Sequence, residues 1–262
     1  MIKSIIYRSL TFAALFFLIF SIAGTAFSQN YSKIRPLRDG FVIDSLDGKV
    51  SSDGEVWFFR TFEPLTDGKG SLSPQTDVQI LPSSMLEKFI STFSEEKNSY
   101  RIWGKFTKYK DKNFIYLSYF LPVTASEVNE PDEMPAVPDA NEEKIIPDNI
   151  LALLRPSRKI DLAELKKPLS TESDGVIADR TGFLRKGEDG FYFDFDALGR
   201  KFDTLSLPLL YCESLEIMHK QQQLSPVQLR FKISAIVTSF KGKNYLLLQR
   251  AIRAYSHGNF AM

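Results

Sequence analysis

The chain has 262 residues, a hydrophobic fraction of 44% and a formal net charge of +1. This length allows one large domain or two small ones, and the apolar content is sufficient for packed cores. The 33 Lys and Arg nearly balance the 32 Asp and Glu, so the net charge of the chain does not indicate a nucleic-acid or acidic partner. Cys212 is the single cysteine, which excludes an intrachain disulfide.

Residues 1–28 have the pattern of a secretory signal peptide. Two bases precede an apolar run, residues 10–23, and the small residues Ala26 and Ser28 follow it. A charged start, an apolar middle and a small-x-small end are what signal peptidase recognises, and the run is short for a membrane span. We therefore predict cleavage near Ser28 and export to the periplasm or the medium. An uncleaved N-terminal membrane anchor is the alternative.

One sequence motif, which we call the repeated phrase, occurs twice in the chain. Residues 106–119 read FTKYKDKNFIYLSY and residues 237–250 read VTSFKGKNYLLLQR, with Thr, Lys, Lys, Asn and Leu in the same places. Three further pairs of blocks match in the same order: residues 81–89 with 210–218, 56–59 with 191–193, and 38–42 with 180–184. Four ordered matches predict a duplicated module that covers residues 35–123 and 176–255.

The first copy begins with three predicted strands and a helix. The strands start at residue 41 and lie in residues 54–62 and 77–81. In residues 83–93 the apolar positions recur every three or four residues, which predicts one buried helix face. Ser84 and Glu87 have the spacing of a capping box at the start of this helix.

Two strands close each copy. Their inward positions are Ile102, Gly104 and Phe106 in the first copy, and Ile233, Ala235 and Val237 in the second. The turns between the strands read KDKN and KGKN, in which Asp111 or Gly242 is followed by Asn113 or Asn244. Because Asp, Gly and Asn tolerate positive φ, the repeated phrase is predicted to be a β-hairpin.

The composition changes between the two copies. Residues 126–143 contain seven acidic residues, three prolines and no base, which predicts a disordered acidic linker. Residues 145–170 are predicted to form a connector of short helices, because apolar residues cluster in 149–154 and Asp161 precedes Glu164 at capping-box spacing. In the second copy we predict a weaker helix with Leu215 and Met218 facing inward.

The predicted order in each copy is βββαββ. We therefore predict a mainly β, α+β fold of two tandem five-stranded barrels, with a short helix in each. This order resembles that of the OB-fold and of the small exported bacterial barrels of that shape. The resemblance covers both copies and not the connector. A half-open sheet with one packed helix is the alternative.

The sequence carries no recognisable catalytic or metal-binding motif. His219 and His257 are the only histidines, and neither is spaced to activate Cys212 as a nucleophile. There is no HExxH, no Cys/His cluster and no phosphate-binding glycine loop, and residues 194–199 lack most ligands of a calcium loop. We predict no catalytic residue, no metal site and no cofactor, with Cys212 as a small buried hydrophobe.

Basic and aromatic residues alternate in the two predicted hairpins. OB barrels bind single strands of nucleic acid by stacking the bases on aromatic faces along a positive groove. The candidate ligand-binding residues are Trp103, Lys105, Lys108, Tyr109, Lys110, Lys112, Lys232, Phe240, Lys241 and Lys243. The alternative interpretation is that the aromatic residues fill the cores and the lysines protect exposed strands from edge pairing.

These observations predict a non-enzymatic binding or interaction protein of the cell envelope. Its partner would be an anionic envelope polymer, a lipid head group or another envelope protein, and export argues against nucleic acid. One alternative is an assembly protein that acts by protein–protein contacts, through an edge strand or residues 149–154. The other is an enzyme with its site near Cys212 or near Asp194 and Asp196.

Overall fold

The structure is a computed structural model that describes residues 35–94, 98–123, 158–162, 164–167, 169, 174–196 and 205–255. The predicted signal peptide, the acidic linker and the apolar part of the connector lie outside these residues. The chain divides into two compact units, residues 1–34 and 35–262, and every described residue belongs to the second.

The described chain is mainly β-sheet with two α-helices. Its first half contains β1 (Val42–Asp53), β2 (Val56–Thr61), β3 (Leu65–Thr66), β4 (Ser71–Leu72), β5 (Val78–Ile80), α1 (Ser84–Thr92), β6 (Ser99–Tyr109) and β7 (Lys112–Pro122). Its second half contains β8 (Arg158–Lys159), a 3₁₀ turn (Glu164–Lys166), β9 (Gly175–Lys186), β10 (Phe191–Phe195), β11 (Ser206–Pro208), α2 (Glu213–Gln223), β12 (Arg230–Phe240) and β13 (Lys243–Arg253).

The first half forms a closed barrel of five strands in the order β1-β2-β5-β7-β6. The barrel closes where β5 meets β7 in parallel, with Ile80 beside Ile115. Strand β1 pairs with both β2 and β6, and a bulge after Ile43 bends it, with Ser45 at a φ of 58°. Bulges of this kind let one long strand turn the corner of a small barrel. The coarse prediction of a five-stranded barrel is therefore confirmed for this half.

The second half forms a six-stranded sheet in which β11, β10, β9, β12 and β13 follow one another and β8 pairs with β9. The two ends of this sheet meet at a parallel bridge between Leu209 and Leu246. The amide of Leu210 donates to the Leu246 carbonyl at 2.8 Å, just as the amide of Leu81 donates to the Ile115 carbonyl at 2.8 Å. The ends therefore approach each other in the same geometry as the strands that close the first barrel.

Both helices are amphipathic, as predicted, but the start of α1 differs from the prediction. Leu215 and Met218 are the buried residues of α2. The N-cap of α1 is Ser83, whose hydroxyl accepts from the Leu86 amide at 3.1 Å, so Ser84 does not cap the helix. The predicted capping box is wrong because a better-placed acceptor lies one residue earlier.

The hairpin turns also differ from the prediction. Their two central residues are Lys110 with Asp111, and Lys241 with Gly242, and positive φ occurs at Lys110 (54°), Lys241 (48°) and Gly242 (71°). Asn113 and Asn244 lie in strands β7 and β13. The predicted role of the asparagines as turn residues is therefore wrong. Their side chains instead form hydrogen bonds to other segments of the chain, which are described below.

One of the four matched sequence blocks is not structurally equivalent. Gly40 lies in a turn before β1 at a φ of 78°, whereas Gly182 lies inside β9. The counterpart of Gly182 is Gly48 in β1: a Cβ on either would come within 2.3 Å of a carbonyl oxygen on the neighbouring strand, that of Arg60 or of Asp194. The close approach of the neighbouring strand requires glycine at both places.

Candidate functional site

The two hairpins contact the two halves of the protein reciprocally, and we call this contact region the junction. The amide of Lys110, in the β6–β7 turn, donates to the Glu216 carboxylate of α2 at 2.5 Å. The amide of Lys241, in the β12–β13 turn, donates to the Glu87 carboxylate of α1 at 3.1 Å. Each repeated hairpin is thus held by a carboxylate on the helix of the opposite half.

The aromatic residue before each turn crosses the junction into the opposite core. Tyr109 is 7% exposed, stacks on Tyr211 at 4.9 Å and belongs to the hydrophobic cluster of the second half. Phe240 is also 7% exposed and belongs to the cluster of the first barrel. Both residues were predicted to stack on a ligand, and both are covered by protein in this structure.

A buried polar network centred on Asp174 joins the halves at one end of the junction. Its carboxylate accepts hydrogen bonds from the hydroxyls of Ser84 at 2.7 Å and Thr238 at 2.6 Å, and from the hydroxyl of Tyr116. The amide of Ser84 donates to the Thr238 hydroxyl at 2.9 Å. Burial and the neighbouring Asp174 charge raise the pKa of Tyr116 well above its ordinary value, so the phenol is a hydrogen-bond donor.

Asp39 has the corresponding position at the other end of the junction. Its carboxylate accepts from the amides of Lys108 at 2.8 Å and Glu213 at 3.1 Å. The Lys108 ammonium also pairs with the Glu213 carboxylate at 2.8 Å, and this hydrogen bond raises the pKa of Lys108. The Thr107 hydroxyl donates to the Tyr211 carbonyl at 2.8 Å. Lys108, a predicted ligand-binding residue, is therefore engaged within the chain.

The remaining predicted residues are dispersed over the protein. Lys241 pairs with Glu55 at 2.9 Å and Lys232 with Asp179 at 3.1 Å. Trp103 is half-buried and packs against Tyr119, with the ring centroids 5.5 Å apart. The exposed residues are Lys110, Lys112, Lys241 and Lys243, and Lys105 is half-buried in a cavity. The role of these residues in ligand binding stays a prediction.

The two asparagines of the repeated phrase fix the segments that precede β1 and β9. The Asn113 amide group bonds to both the amide and the carbonyl of Leu37, at 2.8 and 2.9 Å. Asn244 accepts from the amide of Leu169 at 2.9 Å and donates to the carbonyls of Leu165 and Lys167 at 3.2 and 2.8 Å. The end of the connector is thereby anchored to the second sheet.

Replacing Asn244 by alanine should release this part of the connector. Asn244 is buried and makes three hydrogen bonds, so we expect a loss of about 2 kcal/mol in the free energy of unfolding, since buried backbone groups lose their partners. Trypsin cleavage within residues 158–169 should become faster. The matched variant Asn113→Ala should destabilise the chain while leaving cleavage in that segment unchanged, and equal cleavage in both variants would contradict the assignment.

A cavity of about 500 Å³, which we call the seam cavity, opens where β11 runs beside the start of β13. In the first barrel the equivalent strands are paired, with Gln79 beside Phe114, but Ser206–Pro208 has no such pairing with β13. The cavity is lined by Leu165, Lys167, Asp189, Tyr192, Ser206, Leu207, Pro208, Gly242, Lys243, Asn244 and Tyr245. A smaller cavity of about 150 Å³ shares Tyr192 and Tyr245 with it and continues to Tyr211 at the junction.

Two half-buried tyrosines and two exposed lysines give the seam cavity its chemical character. Burial raises the pKa of Tyr245, so its hydroxyl stays protonated at neutral pH. The Arg185 guanidinium lies 4.8 Å from the centre of the Tyr192 ring and pairs with Asp194. Lys167 and Lys243 form no ion pair with any of the described residues. The cavity therefore combines aromatic faces with cations that are available to an anion.

Sequence analysis identified Lys243 but missed Tyr192, Tyr245 and Lys167. A signal was present, because the corresponding residues of the first half are Phe58 for Tyr192 and Phe114 for Tyr245. The second half carries a hydroxyl at both places where the first carries hydrogen. Pro208 stands where the first half has Gln79 and has no amide hydrogen to donate to β13, so it was a local signal that β11 separates from β13 there.

The groups considered for catalysis are buried or isolated. Cys212 has 0% exposure, and burial raises its pKa to about 12, so the thiol is protonated at neutral pH. His219 packs on Phe191 with the ring centroids 4.6 Å apart, and burial lowers its pKa. Among the described residues, no three His, Cys, Asp or Glu side chains are grouped to hold a metal ion. No helix in the described part of the chain has the length and apolarity to cross a membrane.

Comparison with known proteins identifies no family. No family model matches the chain, and no curated protein matches it. A deletion mutant of the single-stranded DNA binding protein from Thermus aquaticus is 9% identical, over 86% of this chain and 99% of that one, with a TM-score of 0.22. A structure described as structural mimicry for functional antagonism is 14% identical, over 87% and 98%, with a TM-score of 0.19. Similarities this low carry no argument about function.

Proposed function

We propose that the chain is an exported, non-enzymatic binding protein of the cell envelope that holds an anionic polymer in the seam cavity. We further propose that it consists of two copies of one OB-like barrel, tied together at the junction. The reciprocal contacts of the two hairpins support the duplication, because Lys110 and Lys241 contact equivalent glutamates on opposite helices. The N-terminal pattern of residues 1–28 supports export.

The observation that carries the binding proposal is the pairing of Tyr192 and Tyr245 with Lys167 and Lys243 around one opening. A volume of about 500 Å³ lies within the usual range for ligand sites. The C–H faces of sugar rings pack on tyrosine rings, and carboxylate or phosphate groups pair with unpaired ammonium groups. A ring-bearing polyanion satisfies both, and in an envelope an acidic polysaccharide has that chemistry.

This proposal relocates the binding surface that the sequence indicated. The hairpin tips are engaged within the chain, since Lys108 pairs with Glu213 and Lys241 with Glu55. Charge reversal at these lysines would disturb the junction as well as any ligand. Among the predicted residues, Lys243 remains suited to ligand binding, because it lines the seam cavity and has no ion pair among the described residues.

The matched pair Lys243→Glu and Lys112→Glu tests the proposal. The two lysines have the same position in the two hairpins and both are exposed, but only Lys243 lines the seam cavity. With uronic-acid oligosaccharides at low salt, we expect Lys243→Glu to weaken binding at least tenfold and Lys112→Glu to change it less than about twofold. Binding by the parent chain should fall as salt increases, because the contact is electrostatic.

Anionic phospholipid vesicles and single-stranded DNA, assayed in parallel, distinguish the sources of negative charge. Equal losses for Lys243→Glu and Lys112→Glu would overturn the assignment of the seam cavity. No binding of any polyanion at low salt would overturn the proposed function, and it would favour the alternative that the chain acts by protein–protein contacts.

A further inference from the structure

Another cavity lies between the two halves of the protein, separate from the seam cavity and from the smaller cavity beside it. It has a volume of about 270 Å³, and its lining combines residues of β6 and β13. The lining residues are Asp39, Gly40, Lys105, Thr107, Cys212, Leu247, Leu248 and Gln249. We call it the junction cavity.

Lys105 is a cation in this cavity that forms no direct ion pair with a described residue, although the Asp39 carboxylate in the same lining attracts it. It is half-buried, its ammonium lies 5.6 Å from the centre of the Tyr116 ring, and it forms no ion pair with the described residues. Asp39, the carboxylate in the same lining, already accepts hydrogen bonds from two backbone amides. Because removal from water penalises a charge, burial lowers the pKa of Lys105.

The second half of the chain shows that the fold does not require a cation at this place. Lys105 is the cross-strand partner of Tyr116, and in the second hairpin the equivalent partners are Ile236 and Leu247. Ile236 packs against a hydrophobic cluster. An aliphatic side chain therefore fills the equivalent position, which points to a role for the Lys105 ammonium other than stabilising the sheet.

We propose that the junction cavity binds a small monocarboxylate whose carboxylate group pairs with the ammonium of Lys105. The wall formed by Leu247 and Leu248 would contact a short alkyl tail. At roughly 30 Å³ for one water in the liquid, the volume corresponds to about nine waters, which is enough for an acid of about four carbons. The cation attracts the head group, and the apolar wall selects against inorganic anions.

Butyrate is the probe for this site. With ¹³C-dimethylated lysines in the full chain, we expect one methyl resonance, absent from Lys105→Met, to titrate at a lower pH than the others. Saturating butyrate should raise its midpoint by about one pH unit, since a tenfold preference for the charged form shifts a pKa by one. The control Lys112→Met removes an exposed lysine of the same hairpin and should leave this behaviour intact.

Chemical labelling gives an independent measurement if Lys105→Met does not fold. In the unmodified chain, butyrate should slow acylation of Lys105 and leave that of Lys112 unchanged, as read by peptide mass spectrometry. A Lys105 midpoint or labelling rate that does not respond to butyrate would overturn the proposal. Lys243→Glu should not alter the butyrate response, so failure of this site and failure of the seam cavity are distinguishable.

Discussion

Replacement of Asp174 by alanine should reduce the free energy of unfolding by about 3 kcal/mol, because three buried hydroxyl groups would lose their common acceptor. These hydroxyls belong to Ser84, Thr238 and Tyr116, which come from both halves of the chain. Each loses a charge-assisted bond in a site where water is largely excluded. Denaturant unfolding, followed by circular dichroism at neutral pH, measures the loss directly.

The control for Asp174→Ala is Asp77→Ala, which removes an exposed carboxylate that also accepts hydrogen bonds. Asp77 pairs with Arg60 at 2.6 Å on the surface of the first barrel. Exposed pairs contribute at most about 1 kcal/mol, so the control should unfold close to the parent chain. If the two variants were equally stable, the network at the junction would not stabilise the fold as its geometry indicates.

Phe240→Ala should destabilise the first barrel although Phe240 belongs to the second half of the chain. Truncating a buried phenylalanine typically costs about 3–5 kcal/mol through lost burial and the cavity that remains. Phe240 packs in the cluster that contains Phe59, Phe89 and Phe106 of the first barrel. We therefore expect the loss of the Phe240 side chain to destabilise the first barrel across the junction, although that barrel contains no strand of the second half.

The tryptophans provide the readout for Phe240→Ala. Trp57 and Trp103 are the only two in the chain, and both lie in the first barrel. Their fluorescence transition should move to lower denaturant concentration in Phe240→Ala. Phe62→Ala truncates a residue of the first half that is 47% exposed, and it should have a small effect. An unshifted tryptophan transition in Phe240→Ala would show that the halves unfold independently.

The contacts at the junction explain why the repeated phrase occurs twice in the sequence. The repeated residues make equivalent contacts at both ends of the junction. Tyr109 and Phe240 each pack in the core of the opposite half, and Thr107 and Thr238 each form a hydrogen bond across the junction. Each half contributes a hairpin that contacts the helix of the other half. These reciprocal contacts resemble those of a two-fold interface. The residues that were expected to bind a ligand are, for the most part, the residues that join the halves.

Side-chain patterns in the sequence are sufficient to predict most of the local structure of this protein. Alternation in the strands, the three-to-four spacing of apolar residues in α1, and the burial of Leu215 and Met218 follow from side-chain periodicity, which acts between neighbours in the chain. The repeated phrase also located both hairpins. Turn residues and the cap of α1 were misplaced because several adjacent residues could satisfy the same local rule.

The contacts between these elements depend on the folded chain and could not be predicted from the sequence. Glu87 has capping-box spacing in the sequence, yet it accepts from the amide of Lys241, and Lys105 differs from its neighbouring lysines by facing a cavity. The seam cavity exists because β11 and β13 diverge where the equivalent strands of the first barrel pair. Such long-range contacts depend on how two folded halves meet, and no short stretch of sequence encodes that geometry.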